Sequence, residues 1–389
     1  MTEMRFGEFV ETNPKIKLEK GKDYDFVEMA DIEPSRKYVY SNKKRTAKGG
    51  SKFRSGDVLF ARITPCLEHG KIALFKSENL DPAFGSTEFY IFREKEGISD
   101  KDYIYYISKT DIIRKPAEKS MVGASGRQRA NIDSIKDVKF DFPDVLEQRK
   151  IASILTKYDD LIENNVRRIN VLEKISELIY QEWFSKFKFP GHEKVKFNKS
   201  KLGSIPGGWE IKKVSEILKR LKAGSKYTQN NVLEIGVVPV IDQSTKEFLG
   251  WHNNNADHDA SPDKPIMVFG DHTCKMRILV QPFSVGPNTI PFISLKYPEL
   301  YIFFLIKNLV RTREYKRHWN ELIIKDVALP DYNIAKEFSD MITPIFSKIM
   351  NLEITNVNLL KTRDILLPKL IQGEVNISQL DIIIPEVEA

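Results

Sequence analysis

Apolar positions recur at helical spacing in two stretches of about 40 residues, and the two stretches carry the same pattern. Pro143-Asp144 opens one, and Pro330-Asp331 opens the other 187 positions later. At that shift Ile151 falls on Phe338, Ile154 on Met341, Leu155 on Ile342, Tyr158 on Ile345, Ile162 on Ile349, Leu172 on Leu359 and Ile179 on Leu366. Seven coincidences without a gap predict a duplicated long helix. Upstream, Tyr103-Ile-Tyr-Tyr-Ile107 is echoed by Tyr301-Ile-Phe-Phe-Leu305. The chain therefore reads as two tandem halves, each a mixed region followed by a long helix.

The first long helix is expected from 145 to about 186. With Ile151 at heptad position a, Tyr158, Asn165, Leu172 and Ile179 also take a; Ile154, Leu161 and Ile175 take d; Leu155, Ile162 and Ile169 take e. Such a stripe is wide enough for a partner helix. A helix of about 40 residues spans roughly 60 Å, more than one small domain covers. The two copies are thus expected to pack on each other, antiparallel and about a pseudo-twofold axis. Their core would hold Ile151, Ile154, Tyr158, Leu172 and Ile179 with Phe338, Met341, Ile345, Leu359 and Leu366, and Asn165 would either fix register or face solvent. Pro344 and Pro368 predict kinks or helix ends in the second copy.

The remaining sequence reads as short strands broken by Gly, Ser, Asn and Pro, such as Asp57-Val-Leu-Phe-Ala-Arg62, Lys71-Ile-Ala-Leu-Phe75 and Glu88-Phe-Tyr-Ile-Phe92. Helices are expected at 102–113 and 300–319, and strands at 237–241, 265–269, 277–280, 291–295 and 322–328. The fold class is α+β, with two globular domains of mixed α/β character separated by two long helices. The boundaries are a first globular domain at 1–144, a spacer helix at 145–189, a basic linker at 190–202, a second globular domain at 203–331, a second spacer helix at 332–373 and a weakly ordered tail at 374–389.

Charge adds a direction. The formal net charge is +7, which favours a polyanionic partner. Two cysteines far apart, Cys66 and Cys274, suggest no disulfide framework and a reducing cytoplasm. The first thirty residues lack the apolar core of a secretory signal, and no apolar run is long enough for a membrane span.

No Gly-rich phosphate loop is present, nor the Asn/Asp-Pro-Pro-Tyr/Phe tetrapeptide with which amino-methyltransferases hold a flipped base. Asp144, Glu147 and Lys150 imitate a nuclease cluster, but their place at a helix start fits capping. His252, His258, Asp259, His272 and Cys274 lack the paired spacing of a zinc site, so no metal is expected and the segment reads as a polar loop facing a partner. The basic clusters point to DNA. Arg36, Lys37, Lys43, Lys44, Arg45, Lys48, Lys52 and Arg54 occur without an acid and are interleaved with Tyr38, Tyr40, Asn42 and Phe53. The second half offers Lys222, Ser225, Lys226, Tyr227, Gln229 and Asn230. Such mixtures suit phosphate contact and base-edge reading. A self-sufficient nuclease and a helical adaptor without DNA contact are the competing readings.

The chain resembles the specificity subunit of Type I restriction-modification systems over almost its whole length. Pro14-Lys-Ile-Lys-Leu18 with Tyr24-Asp-Phe-Val-Glu-Met29, and Ile205-Pro-Gly-Gly-Trp-Glu210, look like the starts of two target recognition domains. Gly126-Arg-Gln-Arg129, Ile132 and Phe142-Pro-Asp-Val-Leu-Glu-Gln-Arg-Lys-Ile151 are similar to the family's passage into the long helix. Arg127, Gln128 and Arg129 join the expected DNA-binding residues on that ground. The second copy departs from the pattern, because Leu329-Pro-Asp-Tyr-Asn-Ile-Ala-Lys336 lacks the Glu-Gln pair and no Gly-Arg-Gln phrase precedes it. The resemblance implies a non-catalytic subunit whose two domains each read half of an interrupted double-stranded DNA site. It also implies two methyltransferase subunits docked on it, motor-nuclease subunits added for restriction, and S-adenosylmethionine bound by the methyltransferase partner, with no cofactor in this chain. A spacer of roughly 60 Å equals at most about 18 base pairs at ~3.4 Å each.

Overall fold

The computed structural model describes residues 2–77, 81–244, 248–312, 314 and 316–377. The chain forms two compact units. One comprises 1–168 with 352–389, the other 169–351, so each holds one globular domain and a segment of both long helices.

In the first unit, Thr2–Arg5 pairs antiparallel with Lys139–Phe142, so the domain's ends are zipped together just before the long helix begins. A five-stranded sheet runs in the order Glu11–Thr12, Phe89–Arg93, Val58–Ala61, Ile72–Phe75, Tyr38–Val39. A second sheet of four strands is built on Asp23–Val27 and Ala83–Gly85. The second unit repeats the plan. Glu210–Lys213 pairs with Asp326–Leu329, and a four-stranded sheet runs Leu218–Arg220, Thr289–Ser294, Ile266–Gly270, Met276–Leu279. The echoed pentapeptides fall in helices Lys101–Lys109 and Glu299–Ile306, where Tyr103 and Tyr301 are fully buried beside these sheets. The expected helix at 102–113 is split at Thr110. That at 300–319 ends at Ile306, and the strand after it begins at Asp326.

The long helices run Val145–Tyr180, continued by a wider π-helical turn Gln181–Ser185, and Tyr332–Ile371. The first helix thus ends within a residue of the expected 186 and short of the spacer boundary at 189, where Phe187 adopts a left-handed backbone conformation (φ 56°). Pro344 and Pro368 do not end the second, which stays helical through both. Residues 197–200 of the expected linker form a strand paired with Gly203–Pro206. The expected tail is anchored at its start by buried Ile377, and its remainder lies outside the described residues.

The helix seam follows a rule close to the expected one but not identical. Buried or half-buried positions on the first helix include the series Ile151, Leu155, Tyr158, Ile162, Asn165, Ile169, Leu172, Ser176, Ile179 and, in the π turn, Trp183. On the second they include the series Phe338, Ile342, Ile345, Ile349, Leu352, Asn356, Leu359, Arg363, Leu366 and Leu370. Steps of four and three alternate, and each position maps onto its counterpart at offset 187. The seam thus uses positions a and e. The expected stripe over a, d and e is narrowed, because at d Leu161 is 51% exposed, Ile175 40% and Met341 44%, while Ile154 is half-buried against the cluster that holds Ile151 and Leu155. A side chain three positions past an a residue lies about 60° to one side of it, and one four positions past lies about 40° to the other. The nearer flank closes the seam.

Within the first unit the two helix segments run antiparallel. Arg363 bonds to Asp159, and Asn165 Nδ2 donates to Asn356 Oδ1 at 2.9 Å, all four groups being buried. Tyr106 Oη also donates to Asp159, at 2.5 Å. In the second unit the seam is aromatic, with Tyr180, Trp183 and Phe184 surrounding Phe338.

Candidate nucleic-acid interface

At one end of each sheet, loops are tied together by the same set of bonds. In the first unit, Ala61 N–H donates to Lys71 O (3.1 Å), Arg62 N–H to Glu88 O (3.0 Å) and Ala130 N–H to Arg62 O (2.8 Å). In the second, Gly270 N–H donates to Lys275 O, Asp271 N–H to Asn288 O and His318 N–H to Asp271 O, each at 2.8 Å. A lysine side chain closes both cages: Lys71 Nζ donates to Met29 O (2.7 Å) and Lys275 Nζ to Ser244 O (3.1 Å). Four repeated bonds make Lys71 the counterpart of Lys275, Arg62 of Asp271, and Arg129 of Arg317. The frame is kept while the side chains on it differ.

Arg127, Gln128 and Arg129 sit on a loop whose backbone is fixed at both ends. Val122 and Arg129 exchange N–H···O bonds, and Gln128 N–H donates to Thr64 Oγ1 (3.0 Å). Arg127 and Arg129 are exposed and Gln128 half-buried. Arg129 grips Glu88 with Nε at 3.1 and 3.0 Å and Nη2 at 2.7 Å, and Arg62 Nε reaches the same carboxylate at 3.3 Å. The hydrogen bonds from Arg129 hold the Glu88 carboxyl below the usual range, so it stays ionised between the two arginines.

The basic run 36–54 is divided by the fold. Lys37 is only 2% exposed; its ammonium contacts Asp102 at 2.7 Å and donates to Thr156 Oγ1 at 2.6 Å. The expectation that it binds DNA is corrected, since a buried, paired amine has no access to phosphate. Arg36 pairs with Glu163, Tyr38 Oη donates to Asp160 (3.0 Å), and Arg167 donates to Tyr40 Oη (3.2 Å). Residues 36–40 therefore fasten the first domain to one face of its long helix. Burial and the neighbouring Asp102 and Asp160 push the Tyr38 phenol up, so it remains a neutral donor. Lys43 and Arg45 pair with Glu28 at 3.2 and 2.5 Å. Lys44, Lys48 and Arg54 are exposed and Lys52 half-buried, and these four have no ion pair among the described residues.

In the second unit Lys222, Lys226, Gln229 and Asn230 are exposed. Their loop is braced by Asn231, which accepts from Thr228 N–H (2.6 Å) and donates to Lys226 O (3.0 Å). Ser225 donates to Asp257 (3.1 Å). Tyr227 is corrected from a DNA contact to a core residue, because it is buried and stacked on His252 at 4.2 Å. His252 and His258 are buried and bonded to Ser284 and Ala223 O, and among the described residues no cluster suits a metal ion.

Lys71, Arg62 and Glu88 and, in the second unit, Lys275, Asp271 and Arg317 were not visible as site residues in the sequence. One signal marks the second loop: Ile135-Lys-Asp-Val138 recurs as Ile324-Lys-Asp-Val327. At that offset of 189 Arg317 falls opposite Gln128, one position from the Arg129 that the hydrogen bonds set it against, so the phrase marks the loop but not its register.

The missing Glu-Gln pair is explained too. Gln148 is 1% exposed; it accepts from Asp100 N–H and donates to Ile98 O and Pro143 O, each at 2.9 Å. Its counterpart at offset 187 is buried Ala335, and there Tyr297 Oη donates to Pro330 O at 2.9 Å instead. Gln148, not the pair as such, is the domain-to-helix fastening. Asp144 and Asp331 cap the two helix starts, accepting from Glu147 and Asn333 N–H at 2.8 and 2.9 Å.

The fold and loop frame define a class: a tandem α+β protein whose two recognition-type domains alternate with paired long helices. Residues 2–174 match the family model of the Type I restriction modification DNA specificity domain. The chain is 27% identical to the Type I restriction enzyme MjaIX specificity subunit of Methanocaldococcus jannaschii, over 84% of this chain and 79% of that protein. It is 21% identical to the HindI specificity subunit of Haemophilus influenzae, over 83% and 87%. The S subunit of a Type I restriction-modification system from M. genitalium shares the fold, with a TM-score of 0.53 over 95% of this chain and 96% of that one at 15% identity. Its first half is thus similar to the DNA specificity domain of Type I restriction-modification systems, and most of its length is similar to their specificity subunits.

Proposed function

We propose that the chain is the DNA sequence-recognition subunit of a Type I restriction-modification complex, each domain reading one half of a bipartite, interrupted double-stranded site. One observation carries this reading: the same loop cage is built twice on unlike side chains. A duplicated frame with divergent surface chemistry is what two readers of different base sequences require.

Catalysis belongs to the partners in this reading. Two methyltransferase subunits hold S-adenosylmethionine, motor-nuclease subunits join for restriction, and the assembly works in the cytoplasm. No helix among the described residues is long and apolar enough to cross a membrane. Exposed apolar side chains on the long helices support docking. Leu161, Val171, Ile175 and Leu178 line the first and Met341, Ile354 and Ile365 the second, a density suited to protein contact rather than water.

The test is a hydroxyl-radical footprint of the assembled methyltransferase complex on DNA carrying its site. Two protected patches separated by an unprotected gap support the reading, with affinity falling steeply as salt rises. One continuous patch, or binding indifferent to salt, contradicts it.

A further inference from the structure

Arg129 and Arg317 occupy the same place in the two cages, each immediately before the residue whose N–H closes the frame onto Arg62 O or Asp271 O. Both side chains are open to solvent, 46% and 75% exposed. Each faces a carboxylate from another loop, and the roles of the loops are exchanged. In the first domain the acid is Glu88, on the loop before Phe89–Arg93; in the second it is Asp271, on the loop after Ile266–Gly270. Arg317 Nε lies 3.9 Å from Asp271 Oδ2, and Asp271 Oδ1 also accepts from Trp319 N–H at 2.9 Å, which fixes the carboxylate. The duplication has thus kept an acid-held arginine at one point while replacing the residues around it.

The geometry of the grip leaves a defined edge exposed. Arg129 meets Glu88 through Nε and Nη2, the side of the guanidinium fork. The end of the fork, one N–H from each terminal nitrogen, is left for another acceptor pair. Arg317 likewise turns Nε towards its acid. Two parallel donors on a rigid plane match the O6 and N7 acceptors of guanine in the major groove. Holding the plane beforehand removes rotamer entropy that a free arginine loses on binding.

We infer that Arg129 and Arg317 are the specificity-determining arginines of the two domains, each reading one guanine in its own half-site, with Glu88 and Asp271 as positioning residues. The inference rests on the DNA-recognition reading above and deepens it. It requires a G·C pair in each half-site.

The experiment co-expresses the full chain with its methyltransferase subunit and maps methylated sites by sequencing. Arg129→Ala should relax preference at one G·C position of one half-site by about tenfold or more and leave the other half unchanged. Arg317→Ala should do the converse. Arg129→Lys keeps the charge but not the fork, so it too should relax that position; a phosphate contact would survive the change. Glu88→Gln should weaken the same preference without altering the salt dependence of binding. The inference is overturned if Arg129→Ala and Arg317→Ala leave every position as selective as in the wild type. It also fails if either relaxes both halves equally, or if Arg129→Lys retains full selectivity. A wild-type complex that methylates no interrupted site would instead overturn the functional reading itself, which separates the two failures.

Discussion

The long helices are held in opposite ways in the two units. In the first, the seam buries Asp159 with Arg363 and Asn165 with Asn356. At the equivalent positions 187 residues away stand Phe346, Ser176, Leu352 and Ile169. In the second unit the seam is filled by Trp183, Phe184 and Phe338, and Ser176 satisfies its hydroxyl on Leu172 O of its own helix at 3.0 Å. The duplication has preserved the four-three spacing and discarded the chemistry. Apolar packing tolerates many partners, whereas a buried ion pair and an amide pair accept one alignment. The polar segment fixes register, and the aromatic segment contributes burial.

That contrast is open to direct attack. Arg363→Leu strands Asp159 in a buried site and should cost about 3–5 kcal/mol in urea unfolding, whereas Asp159→Leu with Arg363→Leu should recover most of the loss. Equal losses in the single and double variants would remove the pair from the account. Ser176→Ala, at the position equivalent to Arg363, should change stability by less than about 0.5 kcal/mol. The fastenings at the helix starts differ in the same sense. Gln148→Ala removes three hydrogen bonds and should cost about 1–3 kcal/mol, against about 1 kcal/mol for Tyr297→Phe, which frees only Pro330 O.

Smaller effects sharpen the picture. Burial and, secondarily, the Arg363 guanidinium lower Lys109 to about 8 from the ordinary 10.5. Between those values the unfolded chain binds the proton and the folded chain does not, so this group stabilises increasingly as pH rises through the window. The melting temperature of Lys109→Met relative to wild type should therefore fall between about pH 8 and pH 10; a constant difference would show that the amine titrates normally. Within the basic run, Lys44→Ala and Lys48→Ala should each flatten the salt dependence of DNA binding by about 0.9 in log–log slope. Lys37→Met should leave that slope unchanged, because its charge is already buried against Asp102.

The helices were legible in the sequence because period and offset survive side-chain replacement. The seam's flank was not, since residues three and four positions past Ile151 are equally apolar there, and packing against the first domain decides between them. Charge was legible as a total and illegible as a surface. Nothing local distinguishes Lys37, sealed against the helix, from exposed Lys44. The loop cages were invisible because they join residues as distant as Arg62, Glu88 and Ala130 through backbone bonds. The second cage hid further behind the loss of the Gly-Arg-Gln phrase, while its frame persisted.

The central claim is that two unlike readers stand on one duplicated frame. Sequencing the methylated DNA made by this chain with its methyltransferase subunit tests it most directly. One asymmetric motif whose two specified halves flank a gap of unspecified bases is expected; methylation at a single uninterrupted motif would contradict it.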